Sequence, residues 1–129
     1  LVVTIAIKMN FTDYEVMFVA LAVLIGHIYP VYYKFKGGKG VATALGILLG
    51  LNQLLALSVL VIWILVFFIF RYSSLSAIVA SLMAPILSMY IFNESISFSI
   101  IYIFIAALII LRHKSNINNL IQGAEPKFK

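Results

Sequence analysis

Four long apolar runs, at residues 16–31, 41–70, 75–92 and 96–111, constrain this chain more than any other feature, and none contains a charged side chain. A helix of a water-soluble domain needs a polar face, and these runs have none. In hydrocarbon every backbone polar group must be satisfied within the chain, which leaves spanning helices or a closed barrel. Unbroken apolar runs, as opposed to alternating ones, select helices. The expected fold class is therefore all-α: a polytopic transmembrane helical bundle of one domain, residues 1–129. It has about five membrane segments and a partial one at the N-terminus.

The partial segment is LVVTIAI, too short at about 10 Å to cross a hydrocarbon core of about 30 Å. It has no basic leader and reads as the end of a helix whose beginning is missing, not as a signal peptide. Thr12 or Asp13 can cap the next helix, over about 14–32, with Glu15 in its first turn. Pro30 should kink or end that helix, and Tyr29, Tyr32 and Tyr33 suit a membrane interface. As one helix, residues 41–70 would measure about 45 Å, so the polar pair Asn52 and Gln53 is read as a break. The resulting piece over 41–51, about 16 Å long, needs shielding by neighbours. The hydroxyls of RYSSLS can cap a helix over 75–92, in which Pro85 predicts a kink. A turn at 93–95 leads to the last span, 96–111. With the break at Asn52, the basic loop at 34–39, Arg71 and the tail fall on one side, which the positive-inside rule makes cytoplasmic.

The chain has no cysteine, which removes thiol catalysis and thiolate metal sites. His27 and His113 could be imagined as a metal pair, but clustered carboxylates are lacking and no metal is expected. The net charge of +5 sits in loops and tail instead of forming a continuous face, so anionic headgroups or a phosphorylated small molecule fit better than nucleic acid.

Chemistry points to GHIYPVYYKFKGGKGVAT, residues 26–43, where three lysines and four glycines interrupt the apolar chain. FKGGKG can cradle a phosphate: its glycines let backbone amides turn inward, and a helix starting near Val41 adds unpaired amides. Lys36 and Lys39 supply point charges. The bland alternative is a basic loop that only sets topology. It is not a nucleotide P-loop, having no preceding strand and no hydroxyl residue directly after the lysine. His27 could be a general base, a donor to phosphate, or a packed residue bonded to a carbonyl. Arg71 with Ser74, and Arg112 with His113 and Asn116, are polar groups at helix ends on the same side. They are either interfacial anchors or, with the lysine loop, one basic pocket for a small polyanion. Arg112 and Asn116, four apart, would share a helix face. A serine triad is not supported, because the acidic residues on that side lie near the tail and no nucleophile motif surrounds Ser74.

GHIYPVYYKFKGGKGVATALG, RYSSLS and RHKSNINNLIQGAEPK resemble the second block, the Arg–Ser element and the C-terminal block of the bacterial acyl-phosphate glycerol-3-phosphate acyltransferases. The resemblance runs from about Val19 to the end. It implies an enzyme of the bacterial cytoplasmic (inner) membrane, in phospholipid synthesis, with the C-terminus and basic loops in the cytoplasm. Such an enzyme moves a fatty acyl group from acyl phosphate to the 1-hydroxyl of sn-glycerol 3-phosphate, with no cofactor and with the substrate's own phosphate taking the hydroxyl proton. Its partners are acyl phosphate, glycerol 3-phosphate and membrane lipids. Position by position, His27, Lys36, Gly37, Gly38, Lys39, Gly40 and Thr43 match the block associated with glycerol phosphate. Arg71 and Ser74 match the middle element, and His113, Asn116, Gly123 and Glu125 match the last block. The expected catalytic set is His27, Lys39, Ser74, His113, Asn116 and Glu125. The expected phosphate and substrate set is Lys36, Gly37, Gly38, Lys39, Gly40, Thr43, Arg71 and Arg112.

Two departures stand out. The family's first block, SGNxGATN, is absent, and the sequence starts downstream of it, which implies an N-terminal truncation and an incomplete site. Asn118 and Asn119 stand where relatives usually carry arginines. The reading from a different class is a small transporter or channel-like subunit for an organic phosphate, for which internal repeats would be usual and none is visible.

Overall fold

The computed structural model describes residues 1–35 and 37–128, and these form helices joined by short connections with no strand among them. In order they are α1 (Val2–Lys8), α2 (Asp13–Ile28), a 3₁₀ turn (Val31–Tyr33), α3 (Val41–Leu51), α4 (Gln53–Phe70), α5 (Ser73–Tyr90), α6 (Ile96–Arg112) and α7 (Lys114–Ile121). By length and composition α4, α5 and the stretch Asp13–Tyr33 can each cross a membrane, and α6 with α7 passes the same test as a pair bent by 62°. This is an all-helical, multi-pass membrane protein. Large side chains such as Phe68, Ile69, Val61 and Phe104 cover its outer face, as lipid contact requires.

Local chemistry sets most helix ends. Thr12 caps α2 in a reciprocal box: its backbone amide donates to Glu15 Oε2 at 2.7 Å, and its hydroxyl oxygen accepts from the Glu15 amide. Pro30 lies just past the end of α2 and opens the 3₁₀ turn. The helix therefore stops before the proline and does not kink at it.

The break read at Asn52 is present, and one side chain makes it. Asn52 ends α3 through its amide to the Leu48 carbonyl, 2.8 Å, and caps α4 by accepting from the Leu55 amide at 3.0 Å. Its Nδ2 donates to Glu94 Oε1 at 2.6 Å. The other carboxylate oxygen of Glu94 accepts from Ser88, whose hydroxyl also meets that of Ser99 at 3.0 Å. Ser88 and Ser99 are buried on α5 and α6, so this cluster ties the α3–α4 turn to the α5–α6 turn.

Elsewhere the expectations need correction. The serine hydroxyls do not cap α5: its N-cap is Tyr72, with no side-chain cap. Ser76 instead bonds back to the Tyr72 carbonyl, and Ser74 is drawn away to a carboxylate. The polar end of the chain forms α7, set at an angle to α6 because His113 leaves the helical path at φ −96 and ψ 9. Arg112 and Asn116 consequently lie on two helices and share no face.

α5 packs against α4, α6 and α7, while α2 packs against α1, α3 and α6. The short α3 is flanked by α1, α2 and α4, which shields it from lipid as its length demands. Asn52→Ala should lower stability by about 1–3 kcal/mol, combining a lost cap with a carboxylate that loses a donor. Thermal unfolding in detergent measures this, and an unchanged midpoint would show that the cap is redundant.

Candidate active site

The site forms where the starts of α3 and α5, the α6–α7 bend and the tail converge. The glycine loop is shaped by close approach. A side chain on Gly37 would collide with the carbonyl oxygens of His27 and Ile28 and stand 2.6 Å from Pro30 Cδ. Gly40 has φ +82, a conformation L side chains rarely adopt, and caps α3 with no side-chain hydrogen bond. The first amides of α3 thus remain available beside Lys39. Gly38 lies against the His27 ring, whose Nε2 would be 2.8 Å from a Cβ there. Arg112 anchors the loop from α6, donating to the Gly37 carbonyl at 3.3 Å with its guanidinium over the Tyr29 ring.

The tail closes the site. Gly123, at φ +68, turns the chain after α7, with its amide on the Leu120 carbonyl and that of Ala124 on Asn119. Glu125 then reaches back 51 positions to Ser74: Ser74 Oγ donates to Glu125 Oε1 at 2.5 Å, and Asn116 Nδ2 donates to the same oxygen at 2.8 Å. Beyond it Phe128 donates its amide to the Arg71 carbonyl and sets its ring edge-on to Phe67, which stacks on Trp63. Burial pushes the Glu125 carboxyl up, but the hydrogen bonds from Ser74 and Asn116, with the nearby Asn119 amide and the charge of Lys39, outweigh it and hold the group below its ordinary value.

His113 is buried, with Nδ1 2.8 Å from the Ile109 carbonyl. A carbonyl can only accept, so Nδ1 carries the proton and Nε2 is left as an acceptor when the ring is neutral.

Lys39, Ser74, His113, Asn116 and Glu125 line one cavity of about 330 Å³. Lys39 also lines a more open cavity of about 650 Å³ with Gly37, Gly38, Arg112, Lys114 and Asn118. The first cavity adjoins an apolar groove of about 340 Å³ between α3, α4, α5 and α6, with Val41, Trp63 and Ala77 lining both. Buried polar atoms are normally paired. Arg112 Nε, Asn116 Oδ1 and Glu125 Oε2 are buried and have no hydrogen-bond partner among the described residues. One donor and two acceptors are therefore left without a protein partner.

Five of the six expected catalytic residues share the first cavity. The sixth, His27, is exposed at the last turn of α2 beside Gly38. Ser74 and Glu125 meet and His113 lines the same cavity, but Ser74 donates to the carboxylate directly, which is not the order of a serine triad. Gly37, Gly38 and Arg112 line the open cavity, and Gly40 is buried against Leu24 and Ile28. Thr43, half-buried in the first turn of α3, and Arg71, exposed at the end of α4 with its guanidinium over Phe68, are not among the residues lining these cavities. Lys36 lies outside the described residues. Sequence reasoning missed Trp63, Phe128, Lys114 and Ser115. Trp63, the single tryptophan of the chain and set in an aliphatic run, was the one signal available.

The fold and site define a multi-pass membrane protein in which a basic polar cavity adjoins an apolar groove. The chain belongs to the glycerol-3-phosphate acyltransferase family, whose family model matches residues 1–123. A glycerol-3-phosphate acyltransferase of Burkholderia vietnamiensis is 41% identical over 98% of this chain and 60% of its own length. One of Neisseria gonorrhoeae is 48% identical over 92% of this chain and 59% of its own. The crystal structure of PlsY (YgiH), an integral membrane glycerol 3-phosphate acyltransferase, in its glycerol 3-phosphate form, superposes with a TM-score of 0.93 at 40% identity. It covers 98% of this chain and 64% of that one. The lysophosphatidic acid form matches equally well. The chain thus spans about three-fifths of the length of these relatives.

Gly37→Ala must move backbone, whereas Gly38→Ala need only turn an exposed imidazole, so the first should disturb the loop far more. Thermal unfolding of the two variants ranks them, and equal midpoints would contradict the geometry. The tail clasp should respond to acid in one direction. Because the folded carboxyl of Glu125 lies below its ordinary value of 4.5, the stabilisation is present above that value and lost as pH falls through the folded pKa. Trp63 emission should therefore hold steady from neutral pH to about 4.5 and shift to the red only below it. A shift completed nearer neutrality would show that Glu125 does not hold the tail.

Proposed function

We propose that this chain carries the site of an enzyme that moves a fatty acyl group from acyl phosphate to the 1-hydroxyl of sn-glycerol 3-phosphate, giving 1-acyl-glycerol 3-phosphate and phosphate. One observation carries the reading: the polar cavity adjoins an apolar groove, with Val41, Trp63 and Ala77 lining both. A water-borne acceptor and a lipid-borne donor can meet at such a junction. The family, its named members and the glycerol 3-phosphate and lysophosphatidic acid forms of PlsY support glycerol 3-phosphate as the acceptor and its acylated form as the product.

In this reading the acceptor's phosphate lies against Lys39, the first amides of α3 and the unpaired edge of Arg112, while its hydroxyls donate to Glu125 Oε2 and Asn116 Oδ1. The 1-hydroxyl oxygen attacks the acyl carbonyl carbon, and the bond from that carbon to the phosphate oxygen breaks. The hydroxyl proton passes to a phosphate oxygen, so no protein base is required. Ser74, Asn116 and His113 position the reacting groups, and Lys39 offsets the charge that gathers on the leaving phosphate. Catalysis rests on orientation and on charge stabilisation in a site with little water. The enzyme sits in the bacterial cytoplasmic membrane with Lys39, Arg71 and the tail on the cytoplasmic side, since cationic loops are retained there.

A transporter for an organic phosphate would need access from both sides of the membrane. The two readings separate in one assay: acyl transfer from synthetic acyl phosphate to labelled glycerol 3-phosphate in vesicles. It is run on the chain and on the chain extended at its N-terminus to the length of its relatives. Lys39→Ala should cut kcat/KM by about 10²–10³-fold, the scale of removing one charge-stabilising group. Absence of product from the extended, folded protein would overturn the enzyme reading.

A further inference from the structure

The apolar groove has a floor, and the floor is built differently from its walls. Ala77, Ala80 and Ala84 recur along one face of α5, and their small side chains open the hollow. Ile109, Ile105 and Tyr102 form the matching stripe on α6. From Ala77 or Ile109, near the polar cavity, to Ala84 or Tyr102 is seven residues along each helix, a depth of about 10 Å.

At that depth Tyr102 is fully buried. Side chains on a helix lean towards its N-terminus, and the Tyr102 hydroxyl turns towards Glu94. It has no hydrogen-bond partner with good geometry among the described residues. Behind it stands the cluster in which Glu94 is held by Asn52 and Ser88, and Ser88 by Ser99. An acyl chain growing past the tyrosine would have to displace its ring and push methylenes into bonded polar groups. Buried polar groups resist losing their partners, so the ring is braced from behind.

We propose that Tyr102, braced by the Glu94 cluster, is the specificity-determining residue that sets the length of acyl chain the groove accepts. The inference rests on the acyltransferase reading for the identity of the occupant, a single saturated acyl chain whose phosphate end lies at Lys39. Chains that end at the tyrosine fit, and longer ones are rejected. Ala84, facing the same depth from α5, sets the limit from the other side.

The test measures two quantities over a graded series of saturated chains: affinity for non-hydrolysable acyl phosphonates, and rate of transfer from the corresponding acyl phosphates. The unsubstituted protein should show a preferred length, with affinity falling by about tenfold or more over the next two carbons. Tyr102→Ala should move the optimum to longer chains, Tyr102→Phe should leave it in place because the ring remains, and Ala84→Leu should move it to shorter ones. If Tyr102→Ala does not fold, Ala84→Leu decides the matter alone. Transfer that proceeds with the same length profile in all variants overturns the proposal and leaves the acyltransferase reading standing. Length-limited phosphonate binding that shifts with the variants, but without transfer even by the extended protein, supports the ruler and removes the enzyme reading. Failure to bind any phosphonate overturns both.

Discussion

Asn52 holds the position on which the rest of the site depends. α3 has only 11 residues, about 16 Å of helix, so it cannot anchor itself at both faces of a membrane as its neighbours can. Its far end is fixed because one asparagine closes α3, opens α4 and bonds Glu94 in the turn between α5 and α6. Its near end is fixed by contact, since Gly40 fits against Leu24 and Ile28 with no room for a Cβ. A short helix held at both ends gives Lys39 and the first free amides a defined place.

Against that fixed element the chain brings a carboxylate from its tail. Glu125 accepts from Ser74 and Asn116 with one oxygen and keeps the other unpaired. Arg112, at the end of α6, holds the glycine loop yet leaves its Nε free. The unpaired buried atoms are not scattered through the bundle. Among the side chains of the described residues three belong to the site and the fourth, the Tyr102 hydroxyl, belongs to the groove floor. Unpaired buried polar atoms cost free energy, and in the proposed function the acceptor's phosphate and hydroxyls complete the bonding of the three at the site.

Part of this was legible in the sequence. The helices between 13 and 112, the break at Asn52, a cap for α2 at Thr12 or Asp13, and the concentration of chemistry in 37–40 follow from signals within a few residues of each other. α7 was not legible, because its polar face looked like an ordinary tail; the 62° bend at His113 that separates Arg112 from Asn116 has no local signature. Nor was the meeting of Ser74 with Glu125, or of Trp63 with Phe67 and Phe128, since those partners are tied only through the packing of several helices.

The sequence by itself determined that the chain is a bundle of membrane helices with a basic glycine loop. Hydropathy, proline and glycine conformation and capping act over one or two turns, and the solvent imposes the rest. Only the tertiary structure decided which polar groups share a cavity, which atoms stay unpaired and how deep the groove runs. Those outcomes depend on the angle at which α7 leaves α6 and on the close approach of α2 to the loop. Both are set by side chains that meet across dozens of positions, and no local pattern encodes them.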